Sequence, residues 1–252
     1  MKENDFAIFN KRFPRRGIYL LPNLLTTIGL FAGFYAVVAG MKGRFETAAI
    51  AMFIAMIADG LDGRVARLTN TQSDFGAQYD SMSDMLSFGI TPSLVVYSWS
   101  LSYLGKMGWV IAFLYTAATA LRLARFNTQV HETEVKQYSQ GLTCTAAAGM
   151  IASTIWLGSQ YVEDGRILAI PVGILTTLVA AFMVSTIRYH VFKKIDLKGK
   201  VPFITAVVAV FVIAAIALEP PEILFAIAFI YVFSGPVITF WQKRRIRKRS
   251  SK

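Results

Sequence analysis

Four aspartates within one short stretch define the chemistry open to this chain. Asp59 and Asp62 are three residues apart and Asp80 and Asp84 are four apart, so each pair falls on one face of a helix. The runs on either side, FETAAIAMFIAMIA before and SFGITPSLVVYSW after, are apolar enough to lie in a bilayer. An acidic side chain at that depth costs at least about 2.5 kcal/mol and normally faces a cavity or a partner. Four so close together demand positive charge between them. Carboxylate oxygens suit a hard divalent cation, Mg²⁺ or Mn²⁺, and four acids suit two such ions. Mg²⁺ usually completes its shell with phosphate oxygens, which points to a phosphorylated substrate. Arg67 follows on the first predicted helix within reach of a phosphate, and Gly60, Gly63 and Gly76 leave room for backbone or ligand to come close. The competing reading, acids paired with arginines to hold a helical hairpin, is disfavoured because buried ion pairs are weak stabilisers.

The acids can act together only if the chain folds back between them. Thr69-Asn70-Thr71-Gln72-Ser73-Asp74 is polar and predicts a short turn joining two antiparallel helices, which sets both pairs at one depth. The rest of the chain supplies a membrane scaffold. Of 252 residues, 55% are hydrophobic, too many in long runs for a soluble core. The patterning predicts an all-α integral membrane protein of about eight spans, near residues 17–40, 46–68, 77–103, 108–127, 142–161, 167–188, 202–218 and 222–241. Residues 1–16 carry Phe6, Phe9 and Phe13 among basic residues, which predicts an interfacial amphipathic helix. A signal peptide is the alternative, but the following apolar run is too long for one and holds Pro22, Asn23 and Thr26. A single membrane domain over 17–241 is expected, with a catalytic core over 17–190, two additional spans over 202–241 and a basic tail over 242–252.

Net charge is +11, yet its distribution argues against nucleic acid as a partner. With the N-terminus on the cytoplasmic side, 22 of the 26 Lys and Arg residues fall on that side, which predicts cytoplasmic termini and a cytoplasm-facing site beside anionic lipid headgroups. The one cysteine, Cys144, excludes an intramolecular disulfide and reads as a small packed helix residue. His131 and His190 have no partner at metal-ligand spacing and read as bland boundary residues. The chain has no nucleophile elbow, P-loop or dinucleotide fingerprint.

Taken together, Asp59-x-x-Asp62-Gly63-x-x-Ala66-Arg67, eight further residues and Gly76-x-x-x-Asp80-x-x-x-Asp84 resemble the signature of the CDP-alcohol phosphotransferases at every fixed position. The resemblance implies CDP-diacylglycerol as donor, CMP as leaving group and a homodimer in a bacterial inner membrane. It implies that Asp59, Asp62, Asp80 and Asp84 hold the metals and that Asp84 is also the general base. Gly63, Ala66, Arg67 and Gly76 would line the CDP-lipid pocket. Pro22-Asn23-Leu24-Leu25-Thr26 is similar to a pattern common in the family, which would make Asn23 and Thr26 neutral donors to nucleotide or phosphate; the alternative is a plain proline kink.

Arg122-Leu123-Ala124-Arg125-Phe126-Asn127, Gln140-Gly141-Leu142 and Met183-Val184-Ser185 leading to Lys193 resemble the serine-accepting branch of that family. This implies L-serine as acceptor, with Arg122, Arg125 and Lys193 as acceptor contacts; snorkelling topology anchors are the alternative for the arginines. One departure stands out, because Thr143-Cys144-Thr145 follows Gly141-Leu142 where related enzymes usually carry prolines. That leaves the start of the fifth span to be explained. Two rival functions remain: the same chemistry on glycerol 3-phosphate or an inositol compound, and a cation- or proton-coupled transporter. Transporters tend to show broken helices in two related halves, whereas here the intramembrane acids share one segment.

Overall fold

A computed structural model describes residues 20–129, 138–162, 164–190 and 203–249. The predicted amphipathic helix at 1–16, His131 and Lys193 lie outside them, as do the last three residues of the tail.

Among the described residues the chain is helical except for one short ribbon. α1 (Leu20–Met41) and α2 (Phe45–Thr69) are followed by α3 (Asp74–Asp84), which runs through a π-helical segment (Met85–Ile90) into α4 (Thr91–Trp99). A 3₁₀ turn (Leu101–Leu104) leads to α5 (Lys106–Gln129). Then come β1 (Tyr138–Gln140), α6 (Cys144–Tyr161), α7 (Ala169–Val184), β2 (Arg188–His190), α8 (Phe203–Leu218) and α9 (Pro220–Arg249). Leu20–Met41, Lys106–Thr128 and Pro220–Thr239 are each long and apolar enough to cross a membrane, and Ala169–Val184 is a shorter apolar helix. The chain is an integral membrane protein with a helical bundle, as expected.

The all-α class holds, and two expectations are corrected. Beside the helices, β1 and β2 form a short ribbon that pairs antiparallel with Tyr138 opposite His190 and Gln140 opposite Arg188. The helix expected over 167–188 ends at Val184, since Ser185 turns to extended backbone at ψ 164° and frees the chain to form β2. His190 accordingly sits in a strand. The last helix does not stop at 241 but continues to Arg249, so the described part of the basic tail extends a span.

The start of α6 resolves the missing prolines. Thr143 is its N-cap, with its hydroxyl accepting from the Ala146 amide at 3.2 Å. Proline at the first helical position spares an amide that would otherwise lack a partner. Here a capping side chain meets that need, and Cys144 occupies the first turn.

α1 is the element against which the acid-bearing helices pack. It carries Gly29, Gly33, Ala36 and Gly40 as buried small residues, the composition that lets membrane helices approach closely where no hydrophobic driving force operates. Hydroxyls from the α3–α4 rod then reach α1 carbonyls: Ser83 to Thr26 at 3.3 Å, Ser87 to Gly29 at 3.3 Å and Thr91 to Gly33 at 3.1 Å. The donors recur every fourth residue and cross the π segment, so they stay on one face and fix the rod's rotation beside α1. A Cβ on Gly33 would meet Ser87 Oγ at 2.7 Å and Ser87 Cα at 3.1 Å, and the backbone atom cannot swing away. Gly33→Leu is therefore expected to cost at least the ~1–3 kcal/mol typical of overpacking, read as a lowered thermal midpoint in detergent.

Candidate active site

α2 and α3 meet in a tight turn that the local sequence explains. Asn70 caps α2 in the left-handed conformation at φ 51°, one of the few side chains that tolerate it. Thr71 closes the turn through its amide to Ala66 O at 3.0 Å, and its hydroxyl lies 2.7 Å from that of Thr69. Ser73 opens α3 by accepting from the Gly76 amide at 3.0 Å, and Asp74 places an acid at the positive end of the helix. The turn predicted over 69–74 is present.

Folding back in this way brings the four acids together. One carboxylate oxygen each from Asp59, Asp62 and Asp80 lie within 4.8 Å of one another. Asp84 lines the same pocket and is in hydrogen-bond contact with Asp59. Thr26, Gly29, Ala55, Ser83, Ser87 and Phe88 complete the lining. Phe88 and Ala55 are buried and close the inner end. The donor set fits a divalent cation: hard oxygens converge from two helices, and four carboxyl groups share one pocket.

Thr26 has a definite partner. Its hydroxyl lies 2.8 Å from Asp62 Oδ2 and 3.1 Å from Pro22 O. The bond fixes one oxygen of the buried Asp62. Asn23 stands one turn earlier on α1, with Oδ1 3.4 Å from where a Gly76 Cβ would be, so a side chain at 76 would crowd it. Thr27 and Tyr79 join hydroxyls at 2.9 Å on the next face. Gly63 and Ala66 are half-buried on α2 beyond Asp62, with open space around Gly63, and Arg67 is exposed beside them. A strip of small side chains thus leads away from the acids and ends at a cation.

The two arginines of α5 stand on the other flank. Asn127 Nδ2 donates to Ser81 Oγ at 3.2 Å, which ties the end of α5 to the residue after Asp80. Arg122 donates from Nη1 to Cys144 Sγ at 3.3 Å, and Cys144 packs with Phe88 within Coulombic range of Asp84. Arg125 donates from Nη2 to Gln140 Oε1. Both arginines are half-buried, and Arg122 reaches the wall of the acid pocket through Cys144 and Phe88.

Sequence reasoning missed several of these contacts. The Thr26–Asp62 bond joins residues 36 apart, and the Ser83, Ser87 and Thr91 bonds join residues 57 or 58 apart; no local pattern reports either. The four-residue recurrence of small hydroxyls on α3–α4 was the available signal.

Comparison with known proteins identifies the family. Residues 19–182 match the family model described as CDP-alcohol phosphatidyltransferase. A CDP-diacylglycerol–serine O-phosphatidyltransferase of Helicobacter pylori is 33% identical over 219 residues, covering 86% of this chain and 91% of that protein. A protein of the same name from Methanocaldococcus jannaschii is 32% identical over 177 residues, covering 70% of this chain and 77% of that protein. An archaetidylserine synthase of Methanothermobacter thermautotrophicus is 30% identical over 171 residues, covering 67% and 69% respectively. The family match spans α1 to α7 and so takes in the whole acid pocket and both arginines, and on that coverage the chain belongs to the CDP-alcohol phosphatidyltransferase family.

Proposed function

We propose that this enzyme transfers the phosphatidyl group of CDP-diacylglycerol to the hydroxyl of L-serine, forming phosphatidylserine and releasing CMP. The observation that carries the reading is the convergence of four aspartates from α2 and α3 in one pocket of a membrane-embedded bundle. A lipid-linked diphosphate presents both things such a pocket requires: phosphate oxygens at the acids and acyl chains in the bilayer.

In the reaction, the serine hydroxyl oxygen bonds to the lipid-side phosphorus and the phosphoanhydride bond to CMP breaks. Asp84 accepts the hydroxyl proton, and CMP departs with the bonding electron pair. Asp59, Asp62 and Asp80, with Asp84 touching a second ion, would hold Mg²⁺ or Mn²⁺, which when bound neutralises charge on the diphosphate. Thr26 orients Asp62 through its hydroxyl bond. Asn23, Thr26, Gly63, Ala66, Arg67 and Gly76 form the CDP-lipid side: the small residues admit the nucleotide and Arg67 pairs with phosphate. Arg122, Arg125 and Lys193 form the acceptor side, where positive charge suits the carboxylate of an amino acid.

The same reading sets the chain in its membrane. Eight spans cross it, and the described part of the basic tail continues the last of them. Residues 17–190 form the catalytic core and 202–241 the two added spans. Both termini and the site face the cytoplasm of a bacterial inner membrane, with two copies forming a homodimer. Purified protein given CDP-diacylglycerol, Mn²⁺ or Mg²⁺ and a panel of L-serine, glycerol 3-phosphate and myo-inositol should release CMP with L-serine alone. CMP release with glycerol 3-phosphate or myo-inositol in place of serine would overturn the acceptor assignment, and release with none would overturn the transfer itself.

A further inference from the structure

The two arginines on the acceptor flank are held from a single short segment. Arg122 and Arg125 are three residues apart on one face of α5. Their guanidinium groups donate to Cys144 and Gln140, which bracket Gly141, Leu142 and Thr143. A carboxamide carries no formal charge, so the bond to Gln140 orients the Arg125 guanidinium without neutralising it. Arginine only donates, so the Gln140 atom facing Arg125 is its carbonyl oxygen.

The segment itself is fixed from two sides. Gly141 donates to Ile187 O at 2.8 Å and Leu142 to Phe182 O at 3.0 Å, which sews it to the end of α7. Gly141 adopts φ 81°, and a Cβ there would come 2.3 Å from Met183 O, so only glycine fits the crossing. The ribbon is clamped in turn by α9: the buried Tyr189 donates to Val232 O at 3.0 Å, and its ring lies where a Gly235 Cβ would be. Gln140 is thus an exposed side chain on an immobilised backbone.

We propose that Gln140 is a positioning residue that holds the Arg125 guanidinium where it receives the carboxylate of the incoming amino acid. Preorganisation is the physical gain: an arginine already held in one rotamer loses less side-chain entropy when it binds its ligand. The inference rests on the reading of Arg125 as an acceptor contact, and the test separates the two.

Full-length wild type, Arg125→Ala, Gln140→Ala, Gln140→Glu and the Arg125→Ala/Gln140→Ala double variant are assayed in detergent–lipid micelles. L-Serine is compared with serinol, which keeps the hydroxyl and amine but lacks the carboxylate. Gln140→Ala should raise the KM for serine about three- to tenfold, the scale of one hydrogen bond, and leave the KM for CDP-diacylglycerol unchanged. Gln140→Glu should raise it further, because a carboxylate at 140 competes with the acceptor for Arg125. The preference for serine over serinol should fall in both variants. In the Arg125→Ala background, Gln140→Ala should add nothing. A normal serine KM in Gln140→Ala, with a raised one in Arg125→Ala, would overturn the role of Gln140 alone. A normal serine KM in Arg125→Ala would overturn the acceptor reading together with it. Equal losses on serine and serinol would also overturn the proposal, since a general structural defect does not discriminate by carboxylate.

Discussion

Asp84→Asn is expected to reduce turnover by about 10²–10⁴-fold, the usual range for losing a general acid or base. Asparagine keeps the shape and the hydrogen-bonding reach of aspartate, so the contact with Asp59 and the packing against Phe88 need not change. What it loses is the ability to take a proton. Asp84 is also the natural choice of base among the four. The three-oxygen cluster comprises Asp59, Asp62 and Asp80, while Asp84 lies beside it at the inner end of α3. Equilibrium binding of CDP-diacylglycerol should survive in the variant, because the three clustered acids remain. The measurement is CMP release alongside nucleotide binding on the same preparation. Near-wild-type turnover would remove Asp84 from proton transfer. Loss of binding and turnover together would make it a ligand-holding residue only.

The four aspartates were legible because their spacing alone fixes the outcome. Two pairs on helical faces, with a polar six-residue connection, can hardly avoid meeting once the hairpin closes. The long helices were legible for a similar reason, since apolar length is a local property. What stayed hidden depends on partners distant in sequence. Thr26 read equally well as a nucleotide contact or a kink residue, and only the fold shows its hydroxyl turned to Asp62. The ribbon was invisible because each strand is three residues long and lies at the margin of an expected span. Pairing from 138–140 to 188–190 needs α6 and α7 to return the chain to the same end of the bundle. The Cys144–Arg122 bond was equally hidden: the sequence marked Cys144 as a departure from related enzymes, but not which side chain it faces.

Exhaustive chelation should bring CMP release down to background, and Mg²⁺ or Mn²⁺ should restore it. The argument is electrostatic. Four carboxyl groups from two adjacent helices share a pocket lined by the buried Phe88 and Ala55, and ionising them all there sets like charges side by side. The hydroxyl of Thr26 and the backbone amide of Gly63 are neutral donors that reach Asp62, and they bring no positive charge. A divalent cation at the clustered oxygens supplies that charge and ties α2 to α3. Added Mn²⁺ should therefore raise the thermal midpoint of the wild type, a readout independent of turnover. Asp62→Ala should abolish both that rise and the activity. Thr26→Val keeps the shape but removes the hydroxyl that orients Asp62. It should raise the divalent-ion concentration needed for half-maximal stabilisation by about 10–100-fold, the usual scale for losing an outer partner of a ligand. Undiminished CMP release after chelation would overturn the metal site. A normal ion requirement in Thr26→Val would remove Thr26 from the support of the ion and leave it the nucleotide role alone.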